Sequence, residues 1–255
     1  MSQLSNYLEN ALANAVLRNV AFTSPVTVYL ALYTSDPTDA DVGTELTGGG
    51  YARQAITFAA PANGSCSNSA VITFPTATAN LGTATHWGVR DAAAAGNLLW
   101  FGALTTAKII TNGSPYKVNA GQITCSIGGA ASIYLANALL NAALRNTTFT
   151  SPATVYTACY VNDPTPSNIG TEFLGGGYAR KASTFAAPLD GLCQSNALID
   201  FGTASADLGT WTHSGVLDAL TAGNLLFFDP LDSSLPVNNG DPYNIPSGQA
   251  TWGFA

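Results

Sequence analysis

Charged side chains are scarce in this chain. Asp, Glu, Lys and Arg make up only 9% of its 255 residues, whereas about 25% is usual for soluble domains. Its eight lysines and arginines form no basic cluster and the net charge is −7, which argues against nucleic acid as a partner. A surface with so little charge suits a protein that buries much of its exterior against neighbouring subunits.

Long apolar runs and metal-binding cysteine patterns are also missing. No run of 18 or more apolar residues occurs, so we expect no transmembrane helix and no membrane partner. No signal-peptide pattern is visible at the N-terminus. The cysteines show no C-x-x-C spacing and have no histidine at ligand spacing, so we favour buried free thiols over disulfides or a metal site and expect no cofactor. The cysteines are Cys66, Cys125, Cys159 and Cys193.

A tandem repeat organises the chain. Residues 127 positions apart match along the whole sequence without insertion or deletion, and roughly half of them are identical. Three matching segments are FTSP at 22–25 and 149–152, TFAAP at 57–61 and 184–188, and GNLL at 96–99 and 223–226. We therefore predict two homologous domains, residues 1–128 and 129–255, each near the commonest domain size.

Each repeat begins with a helical pattern and continues with strand patterns. Residues 5–19 place apolar side chains on one stripe, with Ser5 as the N-cap, and residues 132–146 keep this pattern. The predicted strands of the first repeat are 26–34, 51–58, 69–74, 85–91, 97–105 and 116–127. The fold class predicted is mainly β: two tandem antiparallel β-sandwich domains, each with an N-terminal α-helix.

The motif GGGYAR occurs at 48–53 and again at 175–180. It could be a phosphate-binding loop or a loop that leads into a strand. A phosphate loop needs the spacing GxxxxGK[ST] before a helix, whereas a strand pattern containing Arg53 follows here. We therefore predict a glycine turn. From the strand that follows, the pairs Tyr51/Arg53 and Tyr178/Arg180 are predicted to project on one face and to contact partners.

The two histidines, His86 and His213, occupy matching positions, as do Asp91 and Asp218. Residues five apart on a strand lie about 16 Å apart on opposite faces, so a His–Asp pair within one repeat is not expected. No serine in a nucleophile-elbow context accompanies them. We interpret both histidines as structural and predict no catalytic residues.

An acidic run in the first repeat raises the question of a cation site. Its members are Asp36, Asp39, Asp41 and Glu45, and oxygen ligands of this kind suit Ca²⁺. The matching residues in the second repeat are Asp163, Pro166, Asn168 and Glu172. Since half of the carboxylates are lost there, a solvated loop is favoured, with a cation site in the first repeat alone as the open alternative.

Aromatic residues in the strand patterns are candidate contact residues. Trp100 and Phe101 correspond to Phe227 and Phe228, whereas Trp87 corresponds to Ser214. Adjacent strand residues face opposite sides, so we expect one residue of each pair to point outward. A domain–domain contact is favoured over a sugar-binding platform.

The quoted motifs together resemble a known family. LENALANAVLRN, FTSPVTVYLALYTSDPT, GTELTGGGYAR, TFAAPANG, TATHWGVRDA and GNLLWFGALTT are similar to short bacteriophage virion proteins of the "phage tail fibre protein" kind, one complete member per repeat. The resemblance implies other virion proteins as partners, and no catalytic or cofactor residues. The second repeat departs most at 229–241, where Pro230 and Pro236 are predicted to break a strand.

Three functional hypotheses follow. The leading one is a structural subunit of the tail, fibre or baseplate, and its alternative is a capsid decoration protein. Both place the protein in the virion, after assembly in the host cytoplasm. Two repeats per chain favour a trimer, which presents six similar repeats. The second hypothesis is an adhesin for a host-surface receptor or glycan. An enzyme is disfavoured, since glycosidases need paired carboxylates at a defined separation.

Overall fold

The computed structural model of the protein describes residues 3–254. Its strands pair in antiparallel sheets, and two α-helices accompany them. The predicted class, mainly β with a helix at the start of each repeat, is confirmed.

The helices α1 (Asn6–Leu17) and α2 (Ile133–Arg145) lie where the apolar periodicity predicted them. The N-cap prediction also holds, because the Oγ of Ser5 accepts a hydrogen bond from the N–H of Leu8 at 3.3 Å. Asn19 follows α1 with φ of 53°, a left-handed conformation that asparagine tolerates and that ends a helix. The sequence therefore specifies both ends of the helix.

The first repeat contains nine strands among the described residues. They are β1 (Gln3–Leu4), β2 (Val28–Tyr33), β3 (Gln54–Ile56), β4 (Ser65–Ser67), β5 (Ile72–Phe74), β6 (Gly82–Arg90), β7 (Leu98–Ile110), β8 (Tyr116–Val118) and β9 (Thr124–Ser126). Five of them form a sheet in the order β1-β7-β6-β2-β3, and β4-β9 and β5-β8 form two-stranded sheets. The long β6–β7 hairpin thus lies in the middle of the main sheet.

The second repeat follows the same plan with eight described strands. They are β10 (Val155–Tyr160), β11 (Lys181–Ser183), β12 (Leu192–Gln194), β13 (Ile199–Thr203), β14 (Gly209–Leu217), β15 (Leu225–Val237), β16 (Pro242–Ile245) and β17 (Thr251–Gly253). The main sheet has the order β11-β10-β14-β15, beside the pairs β12-β17 and β13-β16. The hairpin β14–β15 corresponds to β6–β7.

Several predicted strands differ from those observed. The predicted strand 51–58 begins only at Gln54, so Arg53 precedes the strand instead of lying in it. The predicted strand 116–127 is divided into β8 and β9 by a turn, in which the N–H of Gln122 bonds the carbonyl of Asn119 at 3.3 Å. Gly121 in this turn has φ of 80°, far from the extended range of a regular strand.

Pro230 and Pro236 do not break their strand, contrary to the prediction. Both lie inside β15, opposite His213 and Thr210 of β14. The strand forms the edge of its four-stranded sheet, and proline is tolerated on an edge because the missing N–H is not needed on the outer side.

Grouping of residues by spatial contacts gives two units that combine segments of both repeats. Unit 1 comprises residues up to Glu9, 23–127 and 137–149, and unit 2 comprises 10–22, 128–136 and residues from Thr150 onward. Within unit 1, the N–H of Gly64 donates to the Oδ1 of Asn137 at 3.0 Å. The division into two homologous domains at residues 1–128 and 129–255 stays a prediction.

The same contact recurs in unit 2. There the N–H of Gly191 donates to the Oδ1 of Asn10 at 3.0 Å. The Nε of Arg18 also donates to the carbonyl of Phe185 at 3.3 Å. Most of each helix thus belongs to the unit whose strands come from the other repeat.

Candidate binding site

The glycine motif forms a turn, as predicted. Gly48, Gly49 and Gly50 have φ of 72°, 51° and 76°, and the N–H of Tyr51 donates to the carbonyl of Gly48 at 2.8 Å. These left-handed conformations favour glycine. A β-carbon on Gly49 would in addition lie 2.6 Å from the Cδ2 of Leu81, so the Leu81 side chain would have to shift as well.

Behind this turn, Arg53 is held by a carboxylate and two carbonyls. Its Nε and Nη2 donate to the Oε1 and Oε2 of Glu45 at 2.8 and 2.7 Å. Its Nη1 donates to the carbonyls of Ala92 and Ala95 at 2.8 and 2.6 Å. Burial opposes the charge of Arg53, but the bonds to Glu45 outweigh it and raise the pKa of the guanidinium. Such a bidentate pair fixes geometry as well as charge.

Tyr51 completes this arrangement, which we call the Glu–Tyr–Arg clamp (Glu45, Tyr51 and Arg53). The Tyr51 hydroxyl accepts the N–H of Leu32 at 2.9 Å and donates to the Oε1 of Glu45 at 3.1 Å. Burial raises the pKa of Tyr51 well above its usual value. Tyr51 and Arg53 therefore do reach toward one side, but they bind Glu45.

The second repeat builds the same clamp from Glu172, Tyr178 and Arg180. Arg180 donates from Nε and Nη2 to the Glu172 carboxylate at 2.9 and 2.7 Å. The Tyr178 hydroxyl donates to the Oε1 of Glu172 at 2.7 Å and accepts the N–H of Cys159 at 3.1 Å. The spacing of Glu, Tyr and Arg that the two repeats share thus builds the same hydrogen-bonded clamp in each. The additional role of the four Tyr and Arg side chains in contacting a partner stays a prediction.

The histidines and the matched aspartates make separate structural contacts. The Nδ1 of His86 lies 2.8 Å from the Oγ1 of Thr85. Asp91 accepts the backbone N–H and the side-chain Nδ2–H of Asn97 at 2.7 and 2.8 Å, which closes the β6–β7 hairpin. Asp218 and Asn224 repeat this contact in β14–β15.

The acidic residues do not converge on one point, although Asp41 and Glu45 both lie near Arg90, whose Nε is 3.9 Å from the Oε2 of Glu45. Asp36 lies 3.9 Å from the Nε2 of His86, a contact that the sequence did not predict. Asp41 forms an ion pair with Arg90, Asp36 accepts the N–H of Thr38 at 3.0 Å, and Glu45 belongs to the clamp. Between residues 3 and 254, no three side chains among His, Cys, Asp and Glu come together as a metal site. The first repeat therefore uses these acids to tie a loop to its sheet.

All four cysteines are buried free thiols, as predicted. Cys66 and Cys125 lie opposite each other in the β4–β9 ladder. Burial raises the pKa of Cys66 and of Cys193 to about 11. Because the thiolate is the nucleophilic form, these cysteines are unreactive at neutral pH.

The predicted contact aromatics are largely buried. Trp100 and Phe101 are 0% and 3% exposed, so the expectation that one of them points outward is wrong. The reason is that β7 is buried on both faces from Leu98 to Gly102. Phe227 is also buried, and Phe228 is partly buried against Tyr160 and its neighbours. Contact of these residues with a partner stays a prediction.

Trp87 fills space in unit 1 that a glycine opposite leaves free. Trp87 on β6 pairs with Gly102 on β7, and a β-carbon on Gly102 would lie 2.9 Å from the Cζ2 of Trp87. The indole is 5% exposed. The open cleft beside it has a volume of about 340 Å³.

In unit 2 the same two positions are Ser214 on β14 and Asp229 on β15, again opposite each other. They line a cavity of about 460 Å³, whose walls include Trp211 and Trp252. We call it the Ser214 cavity. Both tryptophans replace small residues of the first repeat, Ala84 and Cys125. The exchange of Trp87 for Ser214 was visible in the repeat alignment, but its consequence, a cavity, was not.

Two polar atoms of the Ser214 cavity residues have no partner within the described chain. They are the Oγ of Ser214 and the Nε1 of Trp252, on side chains of residues that are 5% and 4% exposed. By contrast, the Nε1 of Trp211 donates to the carbonyl of His213 at 2.8 Å. Both unpartnered atoms are shielded from solvent and do not open into the cavity.

Comparison with known proteins gives a family. Among the described residues, no helix is long and apolar enough to cross a membrane. A search of the curated proteins finds no match. The family described as podophage GP4 fiber I protein gp80 matches residues 3–126 and again residues 130–253. Two consecutive matches over nearly all of its length show that the chain belongs to this family of phage fibre proteins, as a tandem duplication.

Proposed function

We propose that the protein is a non-enzymatic structural subunit of a bacteriophage particle, associated with the tail or a fibre. The observation that carries this proposal is the fibre-family match over 3–126 and 130–253. Assembly in the host cytoplasm and a final place in the virion follow from the same proposal.

The use of the polar residues supports a structural role. Several groups that could serve acid–base chemistry are engaged in holding turns and strands: Glu45 by Arg53, Asp91 by Asn97 and Asp41 by Arg90. An active site needs such groups free to meet a substrate. The Glu45–Arg53 and Asp91–Asn97 contacts recur in the second repeat as Glu172–Arg180 and Asp218–Asn224, which is expected of a scaffold.

Exposed apolar residues support assembly into a larger structure. Val42 and Ile169, at matching positions after the acidic loop, are 71% and 74% exposed. Tyr7 and Tyr134, which also match, are each 47% exposed. Combined with the low charge, these repeated patches favour contacts with other subunits. We propose a homotrimer, in which six similar units meet a six-fold partner.

Copy number in purified particles tests this function. Quantitative mass spectrometry against the major capsid protein is expected to give about three to a few dozen copies, as tail or fibre symmetry requires. Hundreds of copies would favour capsid decoration instead. Absence of the protein from infectious, gradient-purified particles would refute a virion role of either kind.

A further inference from the structure

We propose that Cys66 and Cys125 are a redox pair, which closes to a disulfide under oxidising conditions and then stabilises the pairing of β4 with β9. The structure shows the reduced form, in which both thiols are free. The inference concerns the chemistry of unit 1 alone and does not rest on the proposed function. It begins from the β4–β9 ladder, which sets Cys66 directly opposite Cys125.

This ladder brings the two thiols within bonding reach. Residues directly opposite each other in an antiparallel pair have Cα atoms about 4.5–5.5 Å apart and side chains on the same face. Disulfides span Cα distances of about 4.4–6.8 Å, so the bond requires little movement of the backbone. Burial, and next the nearness of Cys66, raise the pKa of Cys125. The register and the electrostatics therefore both place the two thiols together.

The second repeat provides an internal comparison. Cys193 matches Cys66 in the alignment of the repeats, but the residue opposite it is Trp252 instead of a cysteine. Burial raises the pKa of both thiols to about 11, and the charge of a nearby arginine opposes this rise, Arg145 at the first and Arg18 at the second. The two sites share burial and charge and differ in the second thiol. A disulfide is therefore expected in unit 1, while Cys193 stays reduced.

Oxidation proceeds through local opening of the β4–β9 pair, because the closed pair keeps its thiols buried and protonated. Each strand has three residues, and the face opposite the cysteines is half-buried or exposed. Such a short, two-stranded element opens more readily than the strands at the centre of a sheet. Opening removes the burial of Cys66, so its pKa returns toward the ordinary value and the thiolate becomes available.

Glutathione disulfide is a sufficient oxidant. The Cys66 thiolate attacks one sulfur of glutathione disulfide, breaks its S–S bond and releases one glutathione thiolate. The Cys125 thiolate then attacks the Cys66 sulfur of the mixed disulfide and displaces the second glutathione. The two cysteines thus give up two electrons and two protons, which end on two molecules of reduced glutathione. The new bond ties residue 66 to residue 125 across the β6–β7 hairpin, which restricts the unfolded chain.

Mass spectrometry of the native full chain tests the proposal, after incubation with glutathione disulfide at about pH 8.5, alkylation and tryptic digestion. Cys66 and Cys125 fall in the tryptic peptides 54–90 and 118–145, whereas Cys159 and Cys193 fall in 146–180 and 182–255. The expected product is peptide 54–90 linked to 118–145, with the other two cysteines alkylated. Absence of this link in the folded chain, or equal linkage to the other two peptides, would overturn the proposal.

Variants and hydrogen exchange complete the test. Cys66→Ala and Cys125→Ala should each abolish the link, while Cys193→Ala, the matched control, should keep it. Oxidation of the wild type should slow amide exchange in β4 and β9 about tenfold or more relative to the dithiothreitol-reduced chain, because the bond opposes local opening. Cys125→Ala should show no such difference. A linked chain with unchanged exchange in β4 and β9 would refute the stabilisation.

Discussion

A fragment ending at Gly128 is expected not to form a stable monomer. Although it contains the whole first repeat, it lacks residues 137–149, which belong to unit 1. Leu139, Leu140 and Leu144 in this segment are at most 5% exposed. Losing three buried leucines removes about 5 to 9 kcal/mol of hydrophobic stabilisation, comparable with the whole stability of a typical domain.

The fragment has one route to recover this segment. Residues 10–22 match residues 137–149 at the repeat offset, so a second fragment can supply them. Light scattering after gel filtration should therefore show either an unfolded chain or a dimer. The control is a fragment of residues 1–149, which contains every segment of unit 1 and should melt cooperatively as a monomer. A monomeric, cooperatively melting 1–128 fragment would contradict the assignment of 137–149 to unit 1.

Replacing the arginine of the clamp should destabilise the fold strongly. Arg53→Met keeps an unbranched apolar stem but removes the guanidinium and with it four hydrogen bonds to Glu45, Ala92 and Ala95. The Glu45 carboxylate, 20% exposed, then loses its closer counter-charge and keeps only Arg90, whose Nε lies 3.9 Å from the Oε2 of Glu45. Breaking such a pair costs about 3 kcal/mol, which urea unfolding monitored by circular dichroism measures directly.

Two further variants serve as a matched test and a control for this prediction. Arg180→Met should cost at least as much, because Arg180 makes the same contacts with Glu172 and with the carbonyls of Ala219 and Ala222, while Leu217 stands at the position that matches Arg90. Lys108→Met removes an exposed charge and should change stability by less than about 0.5 kcal/mol. If Arg53→Met were as stable as Lys108→Met, the clamp would contribute nothing to the fold.

Local sequence signals predicted the helices and much of the strand pattern. The stripe with Leu8 and Leu12 and the cap at Ser5 are properties of neighbouring residues, so α1 was found within two residues at each end. The turn at Gly48–Gly50 was predictable for the same reason. The strand β4 (Ser65–Ser67) was not, because three small residues carry no periodicity and the strand is defined by its pairing with β9.

Features that depend on distant residues could not be predicted from the sequence. A repeat alignment shows that residues 10–22 and 137–149 are equivalent, but not which strands each segment packs against. Likewise the alignment shows Trp87 replaced by Ser214, but not that Ser214 and Asp229 lie opposite each other on β14 and β15 and line one cavity. The outward position of Trp100 or Phe101 was predicted wrongly because strand alternation does not say whether both faces are covered.

The central claim, a duplicated fibre-family subunit of the virion, is tested most directly by cryo-electron microscopy of purified particles. The account predicts density in the tail or a fibre into which both units fit, with three chains presenting six similar units around the axis. Density for both units on the capsid shell would contradict the fibre placement. A complete reconstruction of the capsid, tail and fibres without any such density would contradict the virion role itself.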